Sequence, residues 1–151
     1  MDKRPPALLV VDVRHNNGGN ADLLSPLVTT LKSFEVKHPA AKLVVVTGRN
    51  TFSAAQIFIS QVNRTTKAAF AGEMSSSKPN FVGEENEVVL PWSKAIGSIS
   101  NRYHESIPGD RREGIAPELK VEVSSADYFG NRDPVLDAVR RTYGPSGPMR
   151  R

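Results

Sequence analysis

The sequence contains no cysteine, which rules out disulfides and thiolate metal sites and leaves the redox compartment open. Its histidines, aspartates and glutamates show no ligand spacing such as His-x-x-x-His, so neither a metal nor any other cofactor is expected. Long apolar runs are also missing. Met1-Asp2-Lys3-Arg4-Pro5-Pro6 leads only into Ala7 to Val11, which stops at Asp12. That excludes a recognisable signal peptide and any membrane-spanning segment, so the chain reads as soluble, with its localisation unknown. The net charge of +4 is modest and comes partly from Lys3-Arg4 and Arg150-Arg151. No basic stripe interleaved with aromatics accompanies it, and nucleic acid is not an expected partner.

What is present fits one domain. At 151 residues and 38% hydrophobic content the chain can bury a core of its own. We expect that domain over residues 1–143, followed by a disordered tail, GPSGPMRR, over 144–151. No internal repeat is visible.

The stretch Val44 to Gln56, VVVTGRNTFSAAQ, organises the rest. Leu43 to Val46 is a continuous run suited to a strand covered on both faces, and Gly48 and Asn50 break it. From Ala54 onward Ala55, Ile57, Phe58, Ile59 and Val62 follow helical spacing, so a helix opens at or just after Ser53. A hydroxyl there meets free backbone N–H groups and the positive end of the helix dipole, which favour developing negative charge. Ser53 is therefore a candidate nucleophile. The same residues also satisfy a capping box, Ser53 with Gln56 three positions later, which needs no chemistry.

The first apolar run, ALLVVDV, predicts a second buried strand that empties into Arg14-His15-Asn16-Asn17-Gly18-Gly19-Asn20. Paired glycines after a strand can present N–H groups to an anion or oxyanion, although an ordinary strand-to-helix turn uses the same residues. An amphipathic helix is predicted from Asp22 to about Lys37, with Pro26 in its first turn. A short strand follows at Ala68 to Ala71, and the order β-α-β-α-β predicts an α/β domain with a largely parallel core sheet. Beyond a polar loop at Gly72 to Asn80, strand candidates lie at Val88 to Leu90, Ala95 to Ser100 and Leu119 to Val123. Tyr103 to Ile115 reads as an exposed excursion in which His104 is solvated. A last helix opens with Asp133 as N-cap and Pro134 as first residue. Trp92, Tyr103, Tyr128 and Phe129 are read mainly as core or rim packing.

Together these residues resemble a family. DVRHNNGGN resembles the Asp-x-Arg-x-Asn-x-Gly-Gly motif of the C-terminal processing, or tail-specific, serine proteases, and TGRNTFSAAQ resembles their nucleophile motif. The likeness continues in order through FAGEMSSSKPNFVGE, VVLPWSKAIGSIS and IAPELKVEVSSADYFGNRDPVLDAV, and so covers nearly the whole chain. The resemblance implies a ClpP/crotonase-like fold of β-β-α units and hydrolysis of peptide bonds in unfolded or C-terminal segments. It places the nucleophile at Ser53 and the general base at Lys78, 25 positions further on. It assigns the oxyanion hole to Gly18, Gly19 and the N–H of Ala54. His15, beside the glycine pair, is the alternative base, because some relatives of the fold use histidine. The family's PDZ domain and the N-terminal part of its catalytic domain have no counterpart here, and a homo-oligomer is one way to cover the apolar surface so exposed. The alternative function is a non-catalytic ligand- or peptide-binding domain, since the retinoid-binding repeats of the photoreceptor matrix resemble the same proteases.

Overall fold

A computed structural model describes residues 6–145. Four strands, β1 (Leu8–Asp12), β2 (Lys42–Thr47), β3 (Ala69–Gly72) and β6 (Leu119–Lys120), form a sheet in the order β1-β2-β3-β6, with every pairing parallel. Between β1 and β2 run a single 3-10 turn, Ala21–Leu23, and helix α1 (Leu24–Lys37), while α2 (Ala54–Thr65) joins β2 to β3. Strands β4 (Asn80–Val89) and β5 (Ile96–Glu105) pair only with each other, as an antiparallel hairpin. The short helix α3 (Ser125–Phe129) and α4 (Pro134–Tyr143) close the chain. The expected tail falls mostly on 146–151, outside the described residues.

The apolar run Leu43 to Val46 within β2 is explained by its place. Val44, Val45 and Val46 are fully buried because helices cover both faces of the sheet. On one face Val45 joins Phe58, Ile59, Val62 and Phe70 with Val28 and Leu31 of α1. On the other, Val44, Val46 and Ala71 meet Val135 and Val139 of α4. α4 begins as expected, with the Asp133 carboxylate accepting from the Leu136 N–H at 2.9 Å and Pro134 next.

The second half departs from expectation. β4 and β5 are each ten residues long, so β5 takes in Tyr103 and His104 from what reads as a loose excursion. β6 is only two residues, shorter than Leu119 to Val123. Helix α3 was not expected, although Ser124 and Asp127 form a reciprocal capping box at its start. Trp92, Tyr103, Tyr128 and Phe129 are all exposed and not core. Among the described residues no helix is long and apolar enough to cross a membrane, and no group of three or more His, Asp or Glu is placed to hold a metal ion.

Candidate active site

The loops that follow β1, β2 and β3 meet at the carboxyl ends of the parallel strands, where open α/β sheets usually carry their ligands. Thr51, buried in the turn after β2, ties them together. Its hydroxyl donates to the Val13 carbonyl at 2.8 Å and accepts from the Gly48 N–H at 3.0 Å. Its own carbonyl accepts from both the N–H and the hydroxyl of Ser76, each at 3.1 Å. One residue on, the Phe52 N–H donates to the Asn16 carbonyl at 3.2 Å.

Ser53 follows in a conformation that L-residues avoid, φ 55° and ψ −122°. Such a residue costs about 1–3 kcal/mol and persists only where its surroundings enforce it. Its side chain makes no capping hydrogen bond, so the capping box with Gln56 does not form. The Gln56 amide instead donates to the Ser60 hydroxyl at 3.2 Å, and its carbonyl oxygen is buried without a partner among the described residues. Ser53 thus sits on a tight strand-to-helix turn with an uncommitted hydroxyl, the arrangement that presents a nucleophile.

Gly18 lies directly against it. A Cβ at Gly18 would fall 2.6 Å from the Ser53 Cβ, 3.0 Å from its Oγ and 3.3 Å from the Ala54 nitrogen, so only glycine allows this approach. Gly18 and Gly19 both have positive φ, 118° and 137°. The Gly18 N–H donates to Asn16 Oδ1 at 3.0 Å. The N–H groups of Gly19 and of Ala54, the first residue of α2, have no acceptor among the described residues.

The structure brings Gly18 against Ser53 and Ala54, with Gly19 next in the chain, and it pairs one of the two candidate bases with another group. The Lys78 ammonium donates to Glu113 Oε1 at 2.9 Å, and the two side chains are 53% and 73% exposed. Nothing joins Lys78 or His15 to Ser53 by a hydrogen bond among the described residues. The loop that carries Lys78 is nonetheless fastened two residues from Ser53: Ser76 binds Thr51, and Ser75 is buried with its hydroxyl accepting from the Ile115 N–H at 3.0 Å. His15 lines a cleft of about 710 Å³ with Gly48, Arg49, Asn50, Tyr128 and Phe129. That cleft does not include Ser53.

His104 is not solvated as the sequence suggested. Its ring stacks on Phe81 at 5.2 Å, with its side chain only 16% exposed. A second feature carries no local sequence signal: Arg14 bonds both carboxylate oxygens of Asp12 and, 119 residues away, both of Asp133. This clamp joins the end of β1 to the N-cap of α4. Burial pushes the Asp12 carboxyl up, but the hydrogen bonds and charge of Arg14 outweigh it and hold the group below its usual range. Asp133 is also held low, chiefly by its hydrogen bonds from Arg14. Carboxylates with depressed folded values stabilise the fold above about pH 4 and lose that contribution as pH falls through those values. Arg14→Ala is therefore expected to cost about 2 kcal/mol at pH 7, less than a fully buried pair because both carboxylates are partly exposed. Urea titrations of wild type and variant should show that difference shrinking below about pH 4.

No family model matches the chain, and no curated protein matches it. Solved structures do. A Bacteroides fragilis protein assigned as an S41 protease is 18% identical, with 89% of this chain and 42% of that one covered at a TM-score of 0.54. A Parabacteroides merdae protein assigned as a peptidase is 17% identical, with coverage of 93% and 53% and a TM-score of 0.62. A photosystem II D1 C-terminal processing protease is 20% identical, with coverage of 93% and 39% and a TM-score of 0.51. The chain has the mixed α/β fold of the C-terminal processing proteases, as its motifs led us to expect. It spans between about two fifths and half of the length of these structures.

Proposed function

We propose that this chain is a serine peptidase domain that cleaves unfolded or C-terminal peptide segments through an acyl-enzyme on Ser53. The observation that carries the reading is the Ser53 backbone, held at φ 55° with its hydroxyl free of the helix cap and pressed against Gly18. A serine that served only as a cap would adopt extended backbone and bond the N–H of the second or third helical residue.

In the reaction Ser53 Oγ attacks the scissile carbonyl, and the carbon–nitrogen bond breaks as the tetrahedral intermediate collapses. The free N–H groups of Gly19 and Ala54 face the developing oxyanion, and that of Gly18 joins them when Asn16 releases it. Losing one such donor typically costs about 100- to 1,000-fold in rate. Lys78 takes the Ser53 proton and returns it to the leaving amine, in the serine-lysine variant of the triad logic. A lysine does this only when neutral and close to the hydroxyl, so Lys78 must leave Glu113 as substrate closes the site. His15 is the alternative base. Water then releases the acyl group.

A non-catalytic peptide-binding domain is the second reading, favoured by the Lys78–Glu113 ion pair. Mass-spectrometric readout of an unstructured peptide library separates the two. A peptidase cuts, and both Ser53→Ala and Lys78→Ala abolish cutting with the circular dichroism unchanged. Glu113→Gln, which releases Lys78, is expected to raise the rate several-fold. No cleavage by the folded wild type would sink the peptidase reading, cleavage that survives Ser53→Ala would remove Ser53 as its nucleophile, and cleavage that survives only Lys78→Ala would move the base to His15.

A further inference from the structure

A line of aromatic rings starts one residue before the nucleophile. Phe52 has 45% of its surface in solvent although its neighbours Thr51 and Ala54 are buried. Its ring lies 6.2 Å from that of Phe81, tilted by 39°. Phe81 in turn stacks on His104, its cross-strand partner, at 5.2 Å and 27°. The far end is polar, with His104 Nε2 3.6 Å from Glu84 Oε1. These spacings fall within the range of favourable aromatic pairs.

The strip is shaped by the backbone beneath it. Phe81 and His104 lean over Gly83, where a Cβ would come 3.0 Å from the Phe81 ring and 3.1 Å from that of His104. A side chain at position 83 would push the stack off the strand. The hairpin thus presents its base to the nucleophile turn as an apolar ledge, with one polar end and one open phenylalanine.

We infer that Phe52 and Phe81 form a subsite for a large apolar side chain of an extended polypeptide, next to the bond presented to Ser53. The inference rests on the peptidase reading for its geometry, since Phe52 is the residue immediately before Ser53 and its ring is open to solvent. The occupant follows from the surface. An exposed ring beside a second ring gains most from covering by an apolar side chain, and the backbone N–H groups at Gly19 and Ala54 would hold the peptide carbonyl. If the rings served only to seat the hairpin on the turn, Phe52 would be covered, as Phe58 and Phe70 are.

The test is binding, which does not need cleavage. Two fluorescein-labelled octapeptides, identical except for Phe or Ser at one central position, are titrated by anisotropy against the Ser53→Ala chain. The Phe peptide is expected to bind about tenfold tighter or more. In Ser53→Ala/Phe52→Ala the two should bind within about twofold of each other. Gly83→Ala, which displaces Phe81 and leaves Phe52 in place, should erode the preference in the same direction and guards against a Phe52 variant that fails to fold. Equal binding of the two peptides, binding of neither, or a preference that survives both substitutions overturns the subsite. Cleavage of the Phe peptide by the wild type reports separately on the peptidase reading. Selective binding without cleavage removes the enzyme and leaves the subsite, whereas cleavage without selectivity does the reverse.

Discussion

Ser53→Gly is expected to make the protein more stable by about 1 kcal/mol and to lower peptide cleavage by about 10,000-fold or more. The stability gain follows from the backbone at φ 55° and ψ −122°, where a residue with a Cβ carries about 1–3 kcal/mol of strain. Glycine removes that strain and gives back about 0.5–1 kcal/mol through the greater freedom of its unfolded chain. The loss of activity follows from deleting the attacking oxygen, for which residual catalysis comes only from binding and the oxyanion donors. Ser53→Ala is the control, because it removes the hydroxyl and keeps the Cβ. It should match the glycine variant in activity and the wild type in stability. Urea denaturation of the three proteins decides the matter, and a glycine variant less stable than wild type would mean that the turn stores no strain.

The expected sign is what separates a functional serine from a structural one. A helix-capping serine replaced by glycine loses a hydrogen bond and a little stability. A serine held against its own backbone preference gains. Natural proteins keep such positions where activity needs them, at a cost in stability met elsewhere in the fold. Here the surroundings are visible: Thr51 ties the turn to Val13, just after β1, and to Ser76, and the Phe52 N–H is fixed on the Asn16 carbonyl.

How much of this could be read in advance depended on whether the signal was local. β2 and α2 were legible because Val44 to Val46 and the spacing from Ala54 to Val62 report burial on both sides and on one side respectively. The Asp133-Pro134 start of α4 was legible because both residues do their work within one turn. The hairpin was only half legible. β4 and β5 are mostly in solvent, so polar and apolar residues mix along them and no period of two stands out. α3 did carry a local signal, Ser124 with Asp127 three positions on, which the short polar sequence hid.

The site divides in the same way. Ser53 and the glycine pair stand out as candidates from strand-turn-helix punctuation, although nothing in the sequence tells a cap from a strained turn. The clamp of Arg14 on Asp133 joins positions 119 residues apart and has no sequence signal of its own. Phe52 and Phe81 carry no signal in the sequence because single aromatics in a loop and at a strand start have no period. What sets their value is the ring beside the ring, and that is a property of the fold.

Gly18→Ala should cost about 2–3 kcal/mol of stability and about 100-fold or more in cleavage, and Gly19→Ala separates the two reasons. Both glycines have positive φ, so alanine is strained at either position. Only at Gly18 does the new Cβ meet anything: the Ser53 Cβ at 2.6 Å and its Oγ at 3.0 Å, against open space at Gly19. The excess cost of Gly18→Ala over Gly19→Ala therefore measures the clash with Ser53. A double variant completes the argument. In Gly18→Ala/Ser53→Gly both clashing atoms of Ser53 are gone, so the loss should be smaller than the sum of the single effects by about 1 kcal/mol or more, well above the error of additivity for independent sites. Additive effects would mean that Gly18 and Ser53 do not press on each other in solution. The oxyanion wall would then have to be built from Gly19 and Ala54 without a rigid neighbour to hold the hydroxyl beside it.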